Sequence, residues 1–243
     1  MKFGKVAICL SGQLRTGLKA HPSFVKFFSS LPNYDVFYHT WELSPTESSK
    51  LKELYNPVSC LEESSLNRTD ESSFGNMLYS ILMANELKKR YEIKNNFRYD
   101  LVIKTRFDLV FPETSIFPIE NFWPRTIYST GGNVGINHTD YENHGISDVL
   151  FWGDSQSMDI ATNVYRYYKF TTLTKNIYLR DGYKIDPKDY YLSPGTLIYQ
   201  RTVEKNVAHM RVNGVGEVPW REDIAHLDPI KDYHKIRERY ARI

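Results

Sequence analysis

Apolar positions along the chain follow two rhythms. Short continuous apolar runs bounded by polar loops predict buried strands, and apolar residues recurring every three or four positions predict helices. KVAICL (5–10) is the first run; it stops at the polar loop SGQLRTG (11–17), and a helix over about 22–30 follows, the opening of a βαβ unit. YDVFYHTWE (34–42) predicts a second strand, with Asp35, Phe37 and His39 on one face and Val36, Tyr38 and Thr40 on the other. Residues 43–73, rich in Ser, Glu and Pro, read as loop with a short strand near 57–61. Phe74, Met77, Leu78, Ile81 and Leu82 share a helical stripe over 74–91, with Ser72 or Ser73 as N-cap and Lys88, Lys89 and Arg90 suiting the C-terminal end.

YDLVIKTRFDLVF (99–111) predicts a strand stopped by Pro112. Strand residues two apart point the same way, so Lys104, Arg106 and Asp108 are expected to share one face at the end of a buried strand, where charge needs a partner or a ligand. Farther on, 126–138 reads as a strand and a glycine-rich loop whose 131–135 segment can close over a ligand, 147–154 as a strand or strand-turn, and 155–170 as a helix. Ser193 and Pro194 start a helix to about 205, 207–212 is a last strand, Gly214 and Gly216 open a turn, and the charged tail from Asp228 is helical. No repeat or linker interrupts the pattern. It predicts one α/β domain with a mostly parallel central sheet and helices on its faces.

Composition narrows the partners. With 243 residues, 41% hydrophobic and 25% charged, the chain has the make-up of a globular protein. A net charge of +2 offers no bulk attraction to nucleic acid, and none is expected as partner. The 18 tyrosines suit clefts that stack flat ligands as well as cores. Cys9 and Cys60 form neither a zinc spacing nor a disulfide framework. The opening MKFGKVAICLSG is too short an apolar run for a signal peptide or anchor, so the expected location is cytoplasmic. On that reading the sequons at Asn67 and Asn137 carry no glycan. The basic, aromatic stretch KDYHKIRERYAR (231–242) fits a solvated helix or peripheral contact with an anionic membrane.

In parallel α/β sheets ligands bind at the carboxyl ends of the strands. Three polar clusters fall there: SGQLRTG, HTWE and RFD. SGQLRTG is neither the dinucleotide fingerprint nor a P-loop. It offers backbone N–H groups near Gly12 and the Arg15 guanidinium, which can grip phosphate oxygens or decorate a solvated turn. Asp108 suits a divalent cation bridging a diphosphate; equally, it suits a structural ion pair with Arg106.

AICLSGQLRTG, YDVFYHTWE, the 74–91 helix, YDLVIKTRFDLVF and ISDVLFWGD follow one another over roughly residues 3–210. In that order they resemble a family of GT-A-type glycosyltransferases found in surface-polysaccharide loci and in large viruses and phages. The resemblance implies a GT-A-like (Rossmann-like) single domain, with a nucleotide-binding half over 1–112, an acceptor-side half over 113–227 and a C-terminal basic helix over 228–243. It implies transfer of a sugar from a nucleotide-diphosphate donor, expected to be a UDP-sugar, to a glycan, lipid-linked or protein-linked acceptor. The compartment would be the host cytoplasm for a viral protein.

By position, Ser11, Gly12, Gln13, Arg15, His39, Trp41, Lys104, Arg106 and Arg221 would line the donor site, with Asn76, Tyr79 and Ser80 facing it; a satisfied interior histidine is the alternative for His39 and core packing for Trp41. The family's D-x-D motif carries Mn²⁺ or Mg²⁺; here it is R-F-D, with Asp108 at the second carboxylate. His226, or Asp223, would complete a metal shell, and Arg106 would take over part of the cation's electrostatic work. Asp148 is the first candidate for the base that deprotonates the acceptor and Asp154 the second, turn capping being the alternative for both. A non-catalytic nucleotide-sugar or glycan binding module, or a nucleotidyltransferase on a related scaffold, remains the alternative reading. The single basic residue of the first loop counts against the last.

Overall fold

The computed structural model describes residues 3–64, 73–118, 122–130, 146–166, 168–169, 198, 201–202, 205–212 and 218–219. Seven strands form one mixed sheet: β1 (Val6–Ser11), β2 (Tyr34–Trp41), β3 (Ser59–Glu63), β4 (Leu101–Thr105), β6 (Thr126–Thr130), β7 (Phe151–Gly153) and β8 (Ala208–Val212). Their order is β3-β2-β1-β4-β7-β6-β8. The first four are mutually parallel, β7 runs antiparallel to β4 and β6, and β8 is parallel to β6. The chain is therefore α/β with a mostly parallel sheet, an architecture compatible with a Rossmann-like fold.

Helices α1 (Gly17–Phe27) and α2 (Pro45–Tyr55) precede and follow β2, α3 (Ser73–Asn95) leads into β4, and α4 (Ser155–Thr162) follows β7. Strand alternation sorts the core into two layers. Ile8, Leu10, Val36, Tyr38 and Ile103 pack with Phe24 and Phe27 of α1 and Tyr55 of α2. Ala7, Cys9, Phe37 and Val102 pack with Leu78 and Ile81 of α3 and Met158 of α4. The division of β2 is the one its alternation predicts. A buried ionic group joins the second layer: the Lys88 ammonium meets Glu92 (3.1 Å) and Asp159 (2.9 Å), tying α3 to α4.

Three elements depart from expectation. The first helix begins at Gly17, five residues before the predicted start, and carries Pro22 inside it. A Cβ on Gly17 would lie 2.6 Å from Cβ of Phe107, so glycine permits the close approach of α1 to the turn after β4. Second, α2 occupies part of the predicted loop. Its start is a capping box: Glu47 N–H donates to Ser44 Oγ (3.3 Å) and Ser44 N–H to Glu47 Oε2 (3.0 Å), with Pro45 in the first turn. Only Leu51 and Tyr55 of α2 are buried, too thin a stripe to be read against the Ser- and Glu-rich composition. Ser44→Ala is expected to cost about 1 kcal/mol of stability in urea unfolding.

Third, the run 99–111 is not one strand. β4 ends at Thr105, residues 107–108 turn, and β5 (Leu109–Val110) leaves to pair with β9 (Val218–Pro219) in a separate two-stranded sheet. Among the described residues no helix is long and apolar enough to cross a membrane.

Candidate functional site

From β1 the chain passes through α1 to β2 and on to β3 on one side; α3 then carries it back to β4 on the other side of β1. The strand order reverses between β1 and β4, the topological switch point at which open α/β sheets bind ligands beyond the strands' carboxyl ends. Two segments meet there: the loop after β1 and the turn after β4.

The loop is held in an unusual backbone path. Gly12 has φ +109° and Arg15 φ +44°, the latter in the left-handed region that side-chain-bearing residues seldom adopt. Gly12 N–H donates to Ser80 Oγ (2.7 Å) of α3 and approaches His39 O (3.3 Å). Arg15 is thereby aimed at the turn. Its Nη1 donates to Asp108 Oδ2 at 3.1 Å, and its Nε to Gln13 Oε1 at 3.1 Å. Arg106 takes the same carboxylate as a fork, Nε to Oδ1 at 2.9 Å and Nη2 to Oδ2 at 2.7 Å. The Asp108 side chain is 1% exposed, whereas those of Arg15 and Arg106 are 32% and 18% exposed. The carboxylate lies beneath, and the guanidiniums are what solvent meets.

Lys104 adds a third cation. Its side chain is fully buried in the second layer, and its ammonium donates to the main-chain carbonyl of Asp148. Among the described residues that is its one hydrogen-bond partner. Burial pulls its pKa down to about 7; the nearby Arg106 acts in the same direction, while Asp148 and Asp108 draw it back up. The register Lys104↔Phe151 sets half-buried Asp148 beyond the same end of β4.

Beside Gly12 lies a polar and aromatic group. His39 is fully buried, with Nδ1 2.8 Å from Ser80 Oγ and Nε2 2.8 Å from Glu63 Oε2. Half-buried Trp41 meets the His39 ring edge-on (centroids 5.0 Å) and lies nearly parallel to Tyr79 at 6.1 Å. Ser11, at the tip of β1, is buried. Among the described residues the buried hydroxyls Thr40 Oγ1 and Thr105 Oγ1, near the carboxyl ends of β2 and β4, have no hydrogen-bond partner.

The structure thus brings Arg15, Gln13, Arg106 and Asp108 into one cluster with Lys104 and Asp148 beside it, and puts Ser11, Gly12, His39 and Trp41 next to that cluster. Asp154 is not among them. Gly153 pairs with Val102, at the other end of β4, and Asp154 caps α4. Its carboxylate accepts from Ser157 N–H (2.9 Å), Ser157 Oγ (2.7 Å) and Arg125 N–H (2.8 Å), so its place as second candidate base is corrected to a helix cap. Glu63, which orients His39, was not foreseen. It sits on edge strand β3, whose register with β2 leaves no local mark in the sequence. Arg221, Asp223, His226, the 131–135 loop and the 228–243 tail lie outside the described residues, as does most of the 193–205 segment.

The described residues present no ready shell for the expected Mn²⁺ or Mg²⁺, and the other candidate ligands, Asp223 and His226, lie outside them. Both oxygens of Asp108 are engaged by guanidiniums. Among the described residues no three His, Cys, Asp or Glu side chains group to hold a metal. Compared with known proteins, the chain matches no family model and no curated sequence.

Proposed function

We propose that the chain is a GT-A-type glycosyltransferase that moves a sugar from a nucleotide-diphosphate donor, a UDP-sugar, to a hydroxyl of a glycan or glycoprotein acceptor. One observation carries this reading: Arg15 and Arg106, from the two sides of the switch point, converge at the carboxyl ends of β1 and β4. Fork-shaped cations at that place match the oxygens of a diphosphate. The ordered motifs of the sequence support it, as does the Trp41–Tyr79 pair, a face on which a flat base can rest. In an inverting transfer the acceptor oxygen bonds to the anomeric carbon as the bond to the diphosphate breaks. The acceptor proton passes to the Asp148 carboxylate and the leaving charge rests on the guanidiniums.

The test is a thermal-unfolding screen with nucleotide-sugars, followed by assay of sugar release. A ligand at a hundred times its dissociation constant adds about 2.7 kcal/mol to stability. A UDP-sugar is expected to raise the midpoint and to be slowly hydrolysed. Arg15→Gly removes the guanidinium while relieving the left-handed backbone. It is expected to fold, with the relieved backbone offsetting part of the lost Arg15–Asp108 pair, and to show no ligand-induced shift from its own midpoint. If no nucleotide-sugar moves the midpoint, the reading fails; a shift without sugar release would indicate a binding module.

A further inference from the structure

Resting on the nucleotide-sugar reading, we propose that Arg15, Arg106 and Lys104 neutralise the donor's diphosphate in place of a divalent cation, and that Asp108 is a positioning residue holding the two guanidiniums. Three observations converge on it. The first is the geometry of the carboxylate. Asp108 is almost wholly buried, its two oxygens take three N–H donors from Arg15 and Arg106 among the described residues, and both arginines are more exposed than it is. A dication approaching from solvent meets guanidiniums before it meets a ligand oxygen; a diphosphate meets the groups that bind it best.

The second is Lys104. An ammonium carries three donors, and this one, buried to 1% exposure, has a single carbonyl partner among the described residues. Spare donors in the interior call for an acceptor, and an oxygen-rich anion at the switch point supplies one. The third is the local charge. Among the described residues Arg15, Arg106 and Lys104 stand against two carboxylates, Asp108 and Asp148. Burial disfavours the charged form of Lys104, and an anion brought beside it would restore that form. Asp108 then serves by fixing where the guanidiniums point, since a forked pair leaves Arg106 little freedom to turn away.

Isothermal titration of the full chain with UDP, GDP, CDP and ADP, once in EDTA and once in Mn²⁺, tests this. One nucleotide is expected to bind in EDTA with a dissociation constant within about threefold of its Mn²⁺ value. Lys104→Met and Arg15→Gln, the first a similar-sized apolar replacement and the second at a part-exposed site, are each expected to weaken binding tenfold or more in both buffers. Asp108→Asn is expected to weaken binding in the parent, less in an Arg106→Gln or an Arg15→Gln background and not at all in the double background, because it acts through the two arginines; a merely structural role would show no such coupling. Binding that requires Mn²⁺, with the Mn²⁺ gain lost in Asp108→Asn, overturns the inference and leaves the donor reading standing. Absence of binding in either buffer overturns the donor reading and the inference with it.

Discussion

Asp108→Ala is expected to lower the stability of the chain by about 3 kcal/mol or more, the largest loss from any single substitution at the site. The carboxylate is buried, and truncation leaves two guanidiniums facing each other across the space it filled. Removing one member of a buried ion pair costs about 3–5 kcal/mol, because the remaining charge loses its partner but not its desolvation. The partial exposure of Arg15 and Arg106 places the figure toward the lower end of that range. Urea unfolding measures it. Because the anion is buried, the loss is expected to persist at high salt, where an exposed pair would be screened. Pairing Asp108→Ala with Arg106→Met is expected to recover part of the loss, since it removes one of the stranded cations. A loss below about 1 kcal/mol for Asp108→Ala would class the group with exposed ion pairs of little weight. It would then undercut the claim that Asp108 fixes the arginines.

What the sequence shows of this site depends on how local each cause is. β1 and β2 are marked by their own residues: an unbroken apolar run in one, alternation in the other. The carboxyl-end placement of Arg15, Arg106 and Asp108 follows from strand order alone. The bend after Thr105 does not. Leu109, Val110 and Phe111 continue the apolar run as if the strand went on. What bends the chain is the capture of Asp108 by Arg15, 93 residues away, and the packing of Phe107 under Gly17. Asp154 carries a local sign of its role, since an aspartate just before a helical stretch is a favoured N-cap, and it also falls in the family-like SDVLFWGD segment. The capping box at Ser44 was equally local and was outweighed by composition. The His39–Glu63 contact depends on the register of an edge strand and had no sequence sign at all.

Lys104→Met separates stability from function in a way that a structural lysine would not. In the folded chain the Lys104 pKa is drawn down to about 7 by burial, from an ordinary value of 10.5 that the unfolded chain keeps. Between those two values the unfolded state holds a proton that the folded state has released. Stability therefore rises with pH across this window, by up to about 1.4 kcal/mol per unit. Below about pH 7 both states are protonated, the slope vanishes, and the fold carries the full cost of a buried ammonium. The parent-minus-variant difference in urea unfolding, taken at pH 7, 8 and 9, isolates this group from others that titrate. It is expected to climb with pH in favour of the parent, while at pH 7 the methionine variant is the more stable, by an amount on the order of a few kcal/mol. The same substitution is expected to weaken nucleotide binding tenfold or more, the trade-off that arises where a site holds charge the core would rather exclude. A flat difference across pH 7 to 9 would mean that Lys104 stays charged in the fold. A variant less stable than the parent at pH 7 would mean that the carbonyl of Asp148 satisfies the ammonium, and the lysine would then be a strut of the sheet and no binding group.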